Sequence, residues 1–482
     1  MKTYLRFFIV FIGMVVLPFS LKAQDVIIEV PATNIFNRTE LNTVKNVLNT
    51  GSNKRWRIGL FAPIDPTIRS TSGLNFQHTT ITTAFMPTSI LTWRLHSIGG
   101  ESPKFHNQDN WPDFKWFTPN NQTWYEPKDT GSSSKYTPGN VVFNFRIPSD
   151  KYTSNVFRAG NYTLGVTHNY DSSGLYFIEF TPNNFQVILI IPAAIQWLSS
   201  TPTRYIEISN LDDYRSTSDR VLGNLGLSEI GNTLNFNLYA KAASSLIQFT
   251  SSSNAQESRN ISTIRLGSAS QKLKTLPLSS TLQNYSASNF VVETGNRNNF
   301  TLDLSVSATD FKAYFYQAGT YKFQLNLETK STDNTISALQ NTDVILKVLP
   351  LSEITIPNSG NAVNFEFNTN AHYQQGLSKV IPNQLKISNN ETFELYVKSD
   401  ATFFKKGGIQ TDINSNILEI GIDGSTTVAL SPTPQKIISA NTPVLDQELN
   451  IKYTIPPTAA QSLVGREKTT YSINVIYSFT AL

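Results

Sequence analysis

From residue 25 onward the chain alternates apolar and polar positions almost throughout. Val, Ile, Thr, Tyr and Phe occupy every second place, and Asn, Ser, Gly and Pro separate the runs. A period of two puts one face of a strand on a core and the other in solvent. The runs recur roughly every 10 to 15 residues with no amphipathic helical stretch between them, which predicts a sandwich or barrel instead of an α/β fold. The chain is therefore expected to be all-β.

The pattern also repeats at long range. Residues 154–170 (SNVFRAGNYTLGVTHNY) return as residues 315–327 (FYQAGTYKFQLNL) and, more worn, as residues 464–476 (VGREKTTYSINVI). The aligned tyrosines Tyr162, Tyr321 and Tyr471 are 159 and 150 residues apart. An alternating strand precedes each copy: VFNFRIP at 142–148, LDLSVS at 302–307 and LNIKYTIP at 449–456. A second landmark, LTWRLH at 91–96, FNLYAK at 236–241 and FELYVK at 393–398, recurs at intervals of 145 and 157 residues. Repetition at a fixed period is the mark of tandem modules. Strongly apolar strands followed by proline, FQVILII before Pro192 and VILKVL before Pro350, mark module ends, because proline cannot continue a central ladder. The expected division is 24–199, 200–351 and 352–482. The final strand from Tyr471 is expected to complete its own sandwich, not to be donated to another subunit.

The first residues change the picture of where the protein works. Lys2 and Arg6 precede the apolar run 7–19, and Leu21-Lys22-Ala23 ends on a small residue, the form of a secretory signal peptide over 1–23. The run is too short to span a bilayer. Export to the cell surface, the extracellular space or the periplasm is the expectation, with no membrane span after signal removal. The sequence holds no cysteine, so each module must stand on its hydrophobic core without disulfides. Without the basic residues of the signal, 36 Lys and Arg face 35 Asp and Glu. A near-neutral chain lacks the surplus of basic residues that nucleic acid or anionic membranes require.

The order of strand, tyrosine turn, strand, long middle, strand and glycine-tyrosine strand resembles bacterial cell-surface and fimbria-type proteins with tandem immunoglobulin-like β-sandwich modules. In those, a strand of the form L-x-V-x-[SA] leads to a glycine-tyrosine turn and a terminal strand. The resemblance implies architecture more than activity.

Candidate chemistry concentrates in the first module. All six tryptophans, Trp56, Trp93, Trp111, Trp116, Trp124 and Trp197, fall within its expected bounds, and three lie in the insertion 101–140. That segment lacks strict alternation and is rich in Pro, Asn and Asp; long loops of this kind inside a compact domain are functional or disordered, and aromatic richness opposes disorder. Trp111, Trp116, Trp124 and Tyr125 offer flat faces for a sugar ring or a protein ligand, with Asp109, Asp113, Asn121 and Glu126 to meet hydroxyls. The alternative is a satellite core that tucks the loop onto the sandwich. Trp93, inside an alternating strand, reads as core. Two carboxylates among Asp109, Asp113, Glu126 and Asp129 would be needed for glycoside hydrolysis. No G-x-S-x-G elbow, cysteine nucleophile, phosphate loop or paired-histidine zinc motif occurs, and neither Asp109–Asp113 nor Asp423-Gly424 completes a calcium loop. The sequence thus predicts a secreted, non-enzymatic adhesion or binding protein without cofactor or metal. Its partner would be a glycan or surface protein met through module one, with modules two and three as a stalk. The alternatives are a structural or assembly subunit of a surface appendage, engaging other assembly subunits, and a polysaccharide hydrolase or accessory carbohydrate-binding protein.

Overall fold

The computed structural model describes residues 25–50, 56–58, 66–100, 113–124, 134–136, 139–169, 180–200, 203–253, 255–268, 272–357 and 362–481. The expected signal segment, residues 1–23, lies outside them. The architecture is all-β: three successive two-sheet sandwiches, each with its own apolar core.

Module two shows the plan in full. Its first sheet runs in the order Arg204–Ile208, Ser337–Val348, Gly319–Ser331, Phe236–Ala242 and Gln283–Asn284, with the hairpin of Leu246–Ser251 and Gln256–Asn260 also on Gly319–Ser331. Its second sheet runs Ile195–Trp197, Arg220–Asn232, Arg297–Val306, Ile264–Gly267 and Leu276–Pro277. The period-two pattern does what it predicts: Tyr321, Phe323, Leu325 and Leu327 turn inward while Lys322 and Gln324 face out. Three strands carry the argument below and are named by role. The tyrosine strand is Gly319–Ser331, the closing strand is Ser337–Val348, and the opening strand is Arg204–Ile208. The closing strand lies between the other two, antiparallel to the tyrosine strand and parallel to the opening strand. Module one repeats this with Gly160–Asn169, Asn184–Ile191 and Val26–Glu29.

Glycine opens both tyrosine strands for a steric reason. Gly160 has φ +134° and Gly319 φ +147°, and a Cβ on Gly319 would fall 2.3 Å from the Thr250 carbonyl oxygen. The adjoining tyrosine turn is pinned by Tyr214, whose ring stacks on Phe311 at 4.4 Å and whose hydroxyl donates to the Phe315 carbonyl at 2.8 Å. Each tyrosine strand follows a short helical segment, Ser149–Ser154, Ala308–Tyr314 or Pro457–Gln461.

Three expectations need correction. The landmark at 91–96 does not match FNLYAK and FELYVK. Thr92–Ile98 pairs with Asn140–Ile147, the place that Ile264–Gly267 and Glu419–Ile422 take in the other modules, and each of the three strands is entered through a 3-10 turn. The counterpart of Phe236–Ala242 in module one is Thr67–Ser70, on the tyrosine strand. Alternation is the same on both sheets of a sandwich, so the period alone cannot say to which sheet a strand belongs. The first boundary also falls earlier than 199, since Ile195 packs in the second core and Ile195–Trp197 pairs with Arg220–Asn232. Trp197 consequently belongs to module two.

The modules meet through one repeated joint. Thr233 N–H donates to the Ala194 carbonyl, Ala194 N–H donates to Thr233 Oγ1, and the Thr233 carbonyl accepts from Ala159 N–H. Asn390 repeats the set: its N–H donates to the Leu351 carbonyl, its Oδ1 accepts from Leu351 N–H, and its carbonyl accepts from Ala318 N–H.

Candidate functional site

Two surfaces depart from the repeated plan. The first is the outer face of one module-one sheet. Inward, Asn140–Ile147 and Thr92–Ile98 carry Phe143, Phe145, Trp93 and Leu95 into the core, and Trp93, expected there, is 1% exposed. Outward, the ladder lines up a row in which Thr92 stands opposite both Arg146 and Trp116. The next row sets Asn144 opposite Arg94. The Phe114 ring carries both guanidiniums, with Arg94 Cζ 4.4 Å and Arg146 Cζ 4.1 Å from its centroid. Trp116 is 50% exposed, a large apolar side chain left on a polar face. Asn144 is 8% exposed, and its Oδ1 accepts no hydrogen bond; Arg146 Nε donates none.

The expected site residues do not act as one group. Trp116, Asp113 and Asn121 are exposed. Trp124 is not part of a binding platform: it is 2% exposed, with its ring 5.6 Å from Phe143 and 5.5 Å from Phe180. For this residue the satellite-core alternative holds, because the short strand Gln122–Thr123 pairs with Thr67–Ser70 and delivers the next residue inward. Trp111, Tyr125, Asp109, Glu126 and Asp129 lie outside the described residues. Beside Trp124 sits His168, 2% exposed, whose imidazole burial pushes down to about 4. Sequence reading missed Phe114, Thr92, Asn144, Arg94 and Arg146. The spacing of Asn144 and Arg146 at alternate places in VFNFRIP was the available signal.

The second surface is in module three. Its tyrosine strand is Val475–Ala481: it pairs with Phe393–Ser399 in the same register that sets Gly319–Ser331 against Phe236–Ala242, so Tyr471 stands where Tyr321 does. This strand joins its own sandwich, as expected, but takes the penultimate place and does not complete the module. Its sheet is three-stranded, in the order Gln435–Asn441, Phe393–Ser399, Val475–Ala481. Among the described residues no closing strand lies beyond it, and residues 363–367 (VNFEF), which correspond to the opening strand, have no ladder partner. The inward side chains register the difference. Phe323, Leu325 and Leu327 are buried in module two, whereas their counterparts Ile473, Val475 and Tyr477 are only half-buried. Val363, Phe365 and Phe367 are likewise half-buried against the third core. The Ala-Gly pair that forms the inter-module joint is replaced here by Lys468-Thr469.

Among the described residues no three His, Asp or Glu side chains gather to hold a metal ion, and no helix is long and apolar enough to cross a membrane.

No family model matches the chain, and no curated protein matches it. Among solved structures it is similar to the chaperone–tip adhesion subunit pre-assembly complex of the archaic chaperone-usher Csu pili of Acinetobacter baumannii, at 12% identity over 59% of this chain and 99% of that chain, TM-score 0.29. It is similar also to CfaE, the adhesive subunit of CFA/I fimbria of enterotoxigenic Escherichia coli, at 8% identity over 68% of this chain and 98% of that one, TM-score 0.26. A third is the CupB6 tip adhesin from Pseudomonas aeruginosa, at 7% identity over 64% and 98%, TM-score 0.22. Likeness at this level assigns neither activity nor partner.

Proposed function

We propose that this chain is an exported, non-enzymatic surface protein that works as a subunit of an assembly, with module three receiving a strand from another polypeptide. The observation that carries this reading is that, among the described residues, no strand pairs with the outer edge of Val475–Ala481. An open strand edge presents unpaired N–H and C=O groups, and half-covered inward side chains add apolar surface, so the place favours an added strand. Modules one and two supply the template for its occupant. Their closing strands turn Phe185, Val187, Leu189 and Ile191, or Val344, Leu346 and Val348, toward the core. The occupant is accordingly an extended segment with alternating apolar residues, antiparallel to Val475–Ala481 and parallel to residues 363–367.

The test is to titrate the full chain with a peptide of residues 341–350 (NTDVILKVLP), taken from its own second closing strand. Amide exchange should slow at residues 363–367 and 475–481, and module three should unfold at higher denaturant as peptide concentration rises. A peptide with Asp at the three inward places serves as control. Unchanged exchange and an unchanged midpoint at saturating peptide would refute the assembly reading.

A second reading concerns the other end of the chain, where half-exposed Trp116 supports recognition of a glycan or protein by module one. The hydrogen-bonded joints at Thr233 and Asn390 would then make modules two and three a stalk. Loss of cell or glycan attachment in Trp116→Ala, with an unchanged unfolding midpoint, is the result this reading requires.

A further inference from the structure

We infer that the outer face of module one around Trp116 takes an anionic saccharide, a sugar ring bearing a carboxylate or a sulfate. The inference rests on the glycan form of the recognition reading and adds the charge of the ligand. Three features meet on this face. Trp116 offers half of its surface to solvent, enough for the apolar C–H face of a sugar ring to stack. Arg146 lies in the same cross-strand row, with Thr92 between them, so the indole and the guanidinium stem rise from backbones about 10 Å apart, two strand spacings. That is the span of a sugar ring and one charged substituent. The Phe114 ring holds the Arg146 guanidinium at 4.1 Å by its face, and with the side chain 33% exposed this leaves the Nη donors, not the buried Nε, for an anion. Its acidic neighbour, Glu40, stands at 4.0 Å, beyond hydrogen-bond length.

The other modules act as internal controls. The ladder places Arg265, Pro277 and Ser305 of module two, and Glu419, Ala429 and Thr454 of module three, where module one has Thr92, Trp116 and Arg146. Neither set joins an aromatic ring to a cation. The combination belongs to module one alone and is not a demand of the fold.

The test titrates the full chain by calorimetry with an oligogalacturonate, a heparin-derived oligosaccharide and a neutral cello-oligosaccharide. One of the two anionic sugars should bind at least about tenfold more tightly than the neutral one, the scale of one charged contact; which of them does so identifies the anion. Trp116→Ala and Arg146→Gln should each weaken binding about tenfold, Glu40→Gln should tighten it, and Arg265→Gln should leave it unchanged. Equal affinity for neutral and anionic sugars, or an Arg146→Gln variant that binds normally, overturns the inference. If Trp116→Ala still abolishes that binding, the glycan reading survives without the charge. No binding of any sugar overturns both, and equal weakening by Arg265→Gln reduces the effect to diffuse charge attraction and overturns the site.

Discussion

The N–H of Ala318 donates to the carbonyl of Asn390 at 2.9 Å, across the boundary between modules two and three, as Ala159 does to Thr233 one module earlier. The Ala-Gly step that begins a tyrosine strand is therefore a docking element for the next module as well as a turn. In the third copy Lys468-Thr469 stands in its place.

The first joint is closed by Asn296, fully buried. Its amide donates to the carbonyls of Phe157 at 2.7 Å and Asn232 at 2.8 Å, and its Oδ1 accepts from Phe157 N–H at 2.9 Å. Asn296→Ala leaves buried backbone groups unpaired and should destabilise the chain by about 2–3 kcal/mol in denaturant unfolding. A loss below about 0.5 kcal/mol, within the range of an ordinary surface substitution, would show that the joint does not depend on it.

The second joint is also ionic. Arg215 Nη2 lies 2.9 Å from both Glu353 and Asp446, and the guanidinium holds the Asp446 carboxyl below the usual carboxylate range. A carboxyl lowered in the folded state adds stability above its unfolded pKa, and that stability disappears as pH falls through the folded value. Arg215→Met should cost on the order of 1 kcal/mol at pH 7, reduced by solvent screening, and less at pH 2–3. An equal cost at both pH values would remove the ion pairs from the account.

His168 titrates in the opposite chemical sense with the same outcome. Its folded value near 4 lies below the ordinary 6.5, so from pH 6.5 downward the unfolded chain takes up a proton that the folded chain refuses. Module one should lose on the order of 2–3 kcal/mol between pH 7 and pH 4, and His168→Phe should flatten that slope. The readout is the unfolding midpoint of module one at several pH values.

Trp124 and Trp116 should separate cleanly. Trp124→Ala empties a core site and should cost about 3–5 kcal/mol, while Trp116→Ala should change stability by less than about 0.5 kcal/mol. Comparable losses at the two positions would contradict their different burial.

The sequence alone determined the all-β class, the threefold repeat and the equivalence of Tyr162, Tyr321 and Tyr471, because alternation and the tyrosine-bearing turn, Ala-Gly-x-Tyr in the first two copies, are local properties of the chain. It placed Trp93 in the core for the same reason. It could not separate Trp116 from Trp124, eight residues apart in one irregular loop, since the choice between solvent and core there depends on which strand each short segment meets. Nor did it distinguish FNLYAK from LTWRLH, because both sheets of a sandwich carry the same period. The open place in module three was hidden likewise: the strand Val475–Ala481 alternates as well as any closing strand, and only its pairing with Phe393–Ser399 makes it penultimate. Strand order is a long-range property, set by which backbones find each other across the sheet, and it decided on which sheet and beside which neighbours each strand lies.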